Sequence, residues 1–530
     1  MKRFQLFGLT ILSGILLSAA WPVSPLTFFV FFAFVPLLFI ADKTTRRNQF
    51  FLYAFIALLI WNALTTWWIW NSSEVGAIVA IIPNALLMCI PWIGYVVFKN
   101  KFGKRIGYFS LIAFWMLFEY IHLNWQLTWP WLSLGNVFAA KTNWVQWYEY
   151  TGVGGETLWV LAVNILLYEF LKRFKVEGLG WKVKRAVVIG LLIAVPALCS
   201  LLLSGSFLTL FPRGENNVAI VQPNIDPYQK FDGNSAAQQI QILISLSEQK
   251  IDSATKLVLW PETALATNVA INELHAAHVY QPVFDFVNRH PNITLLTGIE
   301  TYKIVQEKTV SSRKTQDGQL YESYNAAVSI KANQPLQLYV KSKLVPGVES
   351  LPSFLNFLGP VFEKFGGTTG GYARDTASVA FTNGGNPFVT APIICYESIY
   401  GEYVSTYMTK GANIITIITN DGWWGNTPGH KQHLAYAKLR AIETRKWVAR
   451  SANTGISAVI DEYGNIKEQT KWDEATAFKY SIPAKKGQTF YVKYGDYLYK
   501  TFSVLALLML GWNLVLWGKK KILKLQHRLK

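Results

Sequence analysis

The chain has 530 residues, 51% of them hydrophobic and 15% aromatic, with a formal charge of +18. It is too long for one ordinary domain and too apolar for an ordinary soluble protein. The positive charge lies in short segments between apolar runs and in the C-terminal tail, so it reads as a membrane-topology signal, and no nucleic-acid partner is expected. Apolar runs near 5–20, 24–41, 51–71, 75–98, 106–123, 156–174 and 186–208, and again at 499–518, each approach the roughly 20 residues that cross a bilayer. They predict seven spans before a long polar stretch and one after it.

Lys2 and Arg3, then Lys43, Arg46 and Arg47, then Lys99, Lys101, Lys104 and Arg105, then Lys172, Arg173, Lys175, Lys182, Lys184 and Arg185 fall in alternate connections. Others, such as "WPVSPL" and "NSSEVG", are almost free of Lys and Arg. The positive-inside rule therefore places the N-terminus, these basic loops and the tail "KKKILKLQHRLK" in the cytoplasm, and residues 209–498 on the outer side. The expected organisation is a membrane bundle of about seven helices over 1–208, an extracytoplasmic domain over 209–498, a closing span over 499–518 and a basic cytoplasmic tail over 519–530. Residues 1–20, with Lys2, Arg3 and the small residues "SAA", also fit a signal peptide, but the spans that follow predict a retained first helix. One outer loop, residues 124–156, is rich in Trp, Gly and Pro. Composition leaves it equally an interfacial aromatic belt or a loop that shapes a lipid-access site.

Within 209–498, β-branched runs alternate with amphipathic helical segments. "NVAIVQPNI", "KLVLWPETA", "ITLLTGIET", "YNAAVSIK", "LQLYVKSKLVP", "FVTAPIICYES", "NIITIITND" and "GISAVIDEYG" predict strands. "SAAQQIQILISLSEQKI", "ELHAAHVYQPVFDFVNRH" and "HKQHLAYAKLRAIETRKW" show helical spacing. The alternation argues an α/β domain with functional groups at strand ends. Three such ends stop on a reactive group: Glu262, Lys341 and Cys395. Each alone is ordinary, as a solvated acid, a snorkelling lysine or a core thiol. Together they supply a base for the thiol proton, a cation for an oxyanion and a nucleophile, which is the equipment of acyl transfer. Cys395 is also the single cysteine outside the predicted spans, so the outer domain has no internal disulfide.

The order "WPE", then Lys before "LVP", then "ICYE" resembles the nitrilase superfamily, and the resemblance implies an α-β-β-α sandwich carrying a Glu-Lys-Cys triad. Such a domain between seven preceding spans and one following span is similar to the apolipoprotein N-acyltransferase family. "TNDGWWG", "HKQHL", "KLRAIE", "RSANTGISAVID" and "PWLSLG" add to that likeness. It implies Cys395 as nucleophile, Glu262 as general base and Lys341 as oxyanion stabiliser, with Glu349, Tyr396 and Glu397 in support and Trp423 and Phe231 on the substrate-facing wall. The family's "LVPFGE" is "LVPGVE" here, and Phe231 stands where the family often has Trp. The implied reaction is ping-pong, from a phospholipid acyl donor through a thioester to a diacylated apolipoprotein. It needs no cofactor and is carried out by a monomer in the bacterial inner membrane with its catalytic domain on the periplasmic side. Pairs His430 and His433, and His275 and His278, lack a third ligand at metal spacing, and "FGGTTGGY" lacks the Gly-Lys-Ser/Thr ending of a phosphate loop. A membrane-tethered amidase and a transporter or scaffold are the rival readings. The first leaves the many spans without a reason, and the second leaves the three reactive strand ends unused.

Overall fold

The computed structural model describes residues 2–204, 216–228, 230, 236–351, 355 and 371–528. Its N-terminal part is a helical bundle of α1 (Arg3–Ala20), α2 (Val30–Ala33), α3 (Val35–Lys43), α4 (Arg47–Thr66), α5 (Glu74–Phe102), α6 (Lys104–Asn124), α7 (Tyr148–Thr151), α8 (Gly154–Arg173) and α9 (Leu179–Leu203). The last helix, Tyr497–Arg528, returns to this bundle and packs beside α6, where Ala506 meets Phe98 and Phe114. Helices α1, α4, α5, α6, α8, α9 and this last one are the 7 among the described residues that are long and apolar enough to cross a membrane.

The apolar run at 24–41 is not one helix. It folds as a 3-10 turn, Thr27–Phe29, followed by α2 and α3, with the break at Phe34. Pro36 in the second position of α3 has no N–H to continue the preceding helix, so the chain restarts there. The freed backbone groups are satisfied from α8: Asn164 accepts from the Phe34 N–H at 2.9 Å and donates to the Val30 carbonyl at 2.8 Å. A broken helix is tolerable in an apolar setting when a neighbour completes its hydrogen bonds in this way. The segment still runs from one end of the bundle to the other. Trp21 before it bonds Tyr436 of the α/β part of the chain, whereas Asp42 at its far end pairs with Lys99 and Lys172. Residues 519–528 of the basic C-terminal tail continue the last helix without a break.

The second part is a sandwich of two sheets. Its strands are β1 (Asn217–Gln222), β2 (Thr255–Leu259), β3 (Leu265–Ala270), β4 (Thr294–Val305), β5 (Arg313–Lys314), β6 (Leu320–Ile330), β7 (Gln337–Val340), β8 (Phe381–Thr382), β9 (Val389–Ile394), β10 (Ile414–Thr419), β11 (Val448–Ala452), β12 (Ala458–Ile460), β13 (Ile466–Gln469) and β14 (Thr476–Ser481). One sheet runs β14-β1-β2-β4-β6-β5, with β3 on β4 and β7 on β6; the other runs β13-β12-β11-β10-β9-β8. Central strands β2, β9 and β10 are nearly continuous apolar runs, as strands covered on both faces should be.

Alternate residues point to opposite faces, which sorts the core. Val218, Ile220, Leu257 and Leu259 of the first sheet share a core with Ile394, Ile414, Ile418 and Val459 of the second, on the face from which Ser451 reaches the Val221 carbonyl of the first sheet. On the outside of the first sheet, Ala219, Val221 and Val258 pack under helices Ala236–Glu248 and Gln281–Arg289 through Leu243, Val283 and Phe286. Helices Gly401–Thr409 and Pro428–Thr444 cover the outside of the second. The result is the four-layer α-β-β-α order expected from the sequence. Helix Pro428–Thr444 faces both ways: Leu434, Ala437 and Ala441 belong to the sandwich core, and Ala435, Tyr436, Leu439 and Ile442 to the bundle core. Cooperative burial on both sides makes the two parts one packed unit.

Candidate active site

Every reactive strand end reaches one place. β2 stops at Leu259, and the "WPE" turn carries Glu262 inward, with Thr263 after it at φ +47°. β7 stops at Val340 and Lys341 follows at once; β9 stops at Ile394 and Cys395 follows, at φ +49°. A non-glycine residue in the left-handed region costs about 1 kcal/mol or more and persists only where its surroundings impose it. Here the Cys395 carbonyl is gripped by the Ser398 hydroxyl at 2.8 Å and faces His433 Nε2 at 3.2 Å. The backbone therefore turns sharply at the thiol.

Lys341 is buried between two carboxylates, its Nζ donating to Glu262 Oε1 at 3.0 Å and to Glu349 Oε1 at 2.7 Å. Asn325 bridges the same two acids, at 2.8 Å and 3.1 Å, and the Asn420 N–H donates to Glu262 Oε2 at 3.1 Å. An ammonium has three N–H donors, so these contacts leave one for a reacting oxygen. Burial pulls the Lys341 ammonium down, but Glu262, then Glu349 and Cys395, more than offset it, and its pKa stands well above the ordinary lysine value. The cation is therefore permanent at neutral pH.

Glu349 arrives by an unexpected route. In "LVPGVE" Gly347 takes φ +83° and its N–H bonds the Ser350 carbonyl at 2.7 Å, so the turn closes with glycine one place earlier than in "LVPFGE". Glu349 Oε2 then accepts from the Val345 N–H at 2.8 Å. Glu397, two residues past the thiol, accepts from the N–H groups of Ser342 at 2.7 Å, Lys343 at 3.2 Å and Ile394 at 2.9 Å, and from the Tyr339 hydroxyl. It ties the end of β9 to the segment after β7. Tyr396 points the other way, its hydroxyl donating to the Thr128 carbonyl of the aromatic loop at 2.8 Å.

Cys395 is only 8% exposed, and what it faces is an apolar cavity between the two parts of the protein. The walls come from α5 (Val79, Pro83, Leu87), the aromatic loop (Trp125, Leu127, Trp129, Trp131), the Val345–Val348 turn, Trp68 and Trp424. Trp424 packs on both Trp68 and Trp131 with ring centroids 4.8 Å and 5.6 Å away. Trp423, the residue expected on this wall, packs edge-on against Tyr228 at 5.2 Å and is not among the lining residues, whereas its neighbour Trp424 is. Phe231 lies outside the described residues, as does most of the glycine-rich run at 365–372. A second apolar groove, between α5 and α6 on the flank of the bundle, has Leu87, His122 and Trp125 as lining residues in common with the cavity.

Sequence reading missed Asn325, Asn420, Trp68 and Trp424. The asparagines gave no signal, being ordinary polar residues at the ends of predicted strands, and the tryptophans stand in aromatic-rich runs where composition does not single one out. It also missed Lys230, a buried lysine that donates to the Glu262 carbonyl at 3.1 Å and to the Thr263 hydroxyl at 2.9 Å and so holds the Glu262 turn. His430 and His433, set aside as metal ligands, are both buried. His433 Nδ1 faces Asp421 Oδ1 at 2.9 Å, and His430 stacks on Trp472 with ring centroids 4.2 Å apart.

Burial, and next the charge of Glu262, raise the Cys395 thiol above the ordinary cysteine value, with Lys341 opposing. The resting thiol is therefore neutral at neutral pH, and the nucleophile has to be generated by a base during attack. Iodoacetamide labelling followed by mass spectrometry checks this. The rate at Cys395 should climb about tenfold per pH unit from neutral pH past the ordinary cysteine pKa of about 8.5 without levelling off. A plateau near pH 7 would mean a preformed thiolate.

Residues 217–489 match the carbon-nitrogen hydrolase family and residues 13–166 match the apolipoprotein N-acyltransferase N-terminal domain. A protein of Chlorobaculum tepidum named apolipoprotein N-acyltransferase is 31% identical over 506 residues, covering 92% of this chain and 93% of that one. The chain belongs to the apolipoprotein N-acyltransferase family. A Thermotoga maritima protein of the same name is 24% identical over 517 residues, covering 94% of this chain and 92% of its own. Among solved structures, an amidase of the nitrilase superfamily from Nesterenkonia AN1 covers 55% of this chain and 95% of its own, with 15% identity and a TM-score of 0.35. Of the readings left open by the sequence, family membership supports the membrane-embedded N-acyltransferase over the amidase and the transporter.

Proposed function

We propose that this protein moves a fatty acyl chain from a membrane phospholipid to the N-terminal α-amino group of a diacylglyceryl-cysteine on an apolipoprotein, through a thioester on Cys395. Glu262 takes the thiol proton as sulfur attacks the ester carbonyl, and the oxyanion forms against the free N–H of Lys341. Collapse breaks the ester C–O bond, Glu262 returns the proton to the leaving oxygen, and a lysophospholipid departs. The amine of the second substrate then attacks the thioester carbonyl and loses its proton to Glu262. The sulfur leaves, recovers that proton as the thiol, and an amide remains. The observation that carries this reading is that Cys395 opens into an apolar cavity whose far wall belongs to the bundle, not into a small polar pocket. Both substrates have lipid tails, and this cavity shares the wall Leu87, His122 and Trp125 with an apolar groove on the flank of the bundle. The aromatic loop at 124–156 thereby takes the lipid-access role.

The same geometry supports an orientation. Lys99, Lys104, Lys172 and Arg173 gather with Asp42 and Glu169 at the end of the bundle away from the sandwich. The positive-inside rule puts that end in the cytoplasm and the sandwich on the periplasmic side of the bacterial inner membrane. This reading takes domain limits of 1–208, 209–498 and 499–518 with a basic cytoplasmic tail over 519–530, and a protein that acts as a monomer.

The decisive test is the intact mass of the purified protein after incubation with phospholipid. The expected result is an added acyl mass that hydroxylamine removes and that is absent from Cys395→Ser. An unmodified thiol with untouched lipid, together with ammonia release from small amides, would return the protein to the amidase reading.

A further inference from the structure

At the end of the bundle opposite Cys395 lies a second pocket, formed where the start of α6, the end of α8 and the start of α9 meet. Lys104 and Arg105 enter it from α6, Arg173 from α8 and Arg185 from α9, with Trp181 as a wall. Its one carboxylate, Glu169, is already engaged by Tyr108, by Arg173 at 3.3 Å and by Lys104 at 3.6 Å. Arg105 and Arg185 have no carboxylate partner among the described residues, and the Arg185 guanidinium lies 5.8 Å from the Trp181 ring centroid. Neither α6 nor α9 has an acidic residue in its first turn to offset the positive helix end. Glu177, outside the pocket, also pairs with Arg173 at 3.6 Å, so the nearby acids are consumed by Lys104 and Arg173, and Arg105 and Arg185 keep an unmet demand for an anion.

The other half of the pocket is apolar. Leu166, Val188 and Ile189 form its floor, and beyond them the outer face of α9 exposes Val187, Leu191 and Val195. A free inorganic anion would use the cations and leave this floor idle, whereas a phospholipid would use both. We propose that this pocket binds the phosphate headgroup of an anionic phospholipid, its acyl chains lying along α9. Arg105 and Arg185 grip the phosphate, since guanidinium pairs with it in bidentate fashion. Basic pockets between transmembrane helices on the cytoplasmic side take such headgroups.

This lipid is not an acyl donor. His122, which lines the Cys395 cavity, is 18 residues along α6 from Lys104, about 27 Å at helical rise. An ester held at the basic end cannot reach the thiol, so the bound lipid anchors the bundle and is not consumed.

Native mass spectrometry of the full chain in detergent tests this in the Cys395→Ala background, where lipid is not consumed. The probes are phosphatidylglycerol and phosphatidylcholine of the same acyl chains, and inorganic pyrophosphate. The expected result is one phosphatidylglycerol retained under collisional activation that strips phosphatidylcholine. The Arg105→Gln/Arg185→Gln protein should retain it roughly tenfold less or worse. Lys175→Gln/Lys182→Gln, which removes two charges nearby but outside the pocket, should retain it fully. With Cys395 restored, the arginine variant should form the acyl-enzyme at the unmodified rate, which also reports that it is folded. Equal retention of the two lipids, undiminished retention by the arginine variant, or equal loss in the lysine variant would overturn the proposal. Displacement of the lipid by pyrophosphate would assign the pocket to a free phosphate and overturn the lipid.

Discussion

Lys341→Met should slow formation of the acyl-enzyme by about 10³-fold and destabilise the protein by about 3–5 kcal/mol. Both effects follow from one geometry. Lys341 is buried and holds Glu262 at 3.0 Å and Glu349 at 2.7 Å. Methionine fills similar volume but leaves two carboxylates facing each other across Asn325, with no cation between them. Removing one partner of a buried charged cluster costs far more than the cluster contributes net, because the remaining charge is left uncompensated. The activity loss has a separate cause, the missing donor for the oxyanion. A second substitution separates the two. Adding Glu349→Gln to Lys341→Met should recover part of the lost stability in thermal unfolding and none of the acylation rate. If Lys341→Met acquired the hydroxylamine-labile acyl mass at the unsubstituted rate, the oxyanion role would be wrong.

Glu262, Lys341 and Cys395, the residues of the proposed triad, were legible as neighbours because each ends an apolar run, and a strand that stops on a reactive group announces both its own direction and the group's location. Eight predicted runs correspond to β1, β2, β4, β6, β7, β9, β10 and β12. Of the strands that were missed, β5 and β8 are two residues each, β13 has all four residues exposed, and β3 and β14 mix polar and apolar residues without a long β-branched run. β11 was hidden by its neighbour: the helical spacing of "HKQHLAYAKLRAIETRKW" runs on to Trp447, but the helix ends at Thr444 because Arg445 turns left-handed at φ +51°. Arg445 holds that turn through Glu149 and Gln146 of the aromatic loop, partners about 300 positions away that no local pattern reveals. The run at 24–41 likewise looked like one span, because hydropathy counts apolar residues without registering that Asn164 can complete a broken ladder. Trp424 lines the cavity where Trp423 was expected, since adjacent residues of a 3-10 turn point in different directions and the sequence gives no phase for that turn.

Glu397 gives the other large effect, and it acts without touching the reacting atoms. Its Oε1 receives the Ser342 and Lys343 N–H groups and the Tyr339 hydroxyl, and its Oε2 receives the Ile394 N–H. These contacts set the distance between the strand end that carries Cys395 and the one that carries Lys341. In Glu397→Gln the amide nitrogen must face either Ile394 or the three-donor side, so donor meets donor whichever way it turns. The two strand ends should part slightly, and a displacement of about 1 Å is worth roughly 10²-fold in rate. The expected signature is a fall of that size in the rate of acyl-enzyme formation with KM for phospholipid unchanged, since the cavity is intact. Glu397→Leu should cost more, about 3 kcal/mol or above, because the buried N–H groups of Ser342 and Ile394 and the part-buried N–H of Lys343 lose their acceptor. Burial pushes the Glu397 carboxyl up to about 7, against the Tyr339, Ile394 and Ser342 donors and the Lys341 charge that favour its ionised form. Acidifying the unsubstituted protein below pH 7 therefore places a proton where donors already converge, and the acylation rate should fall on that side. That acid limb should be absent from Glu397→Gln, which has no such proton to gain. A pH profile identical in the two proteins, or a glutamine variant that acylates at the full rate, would remove Glu397 from any role in positioning the thiol.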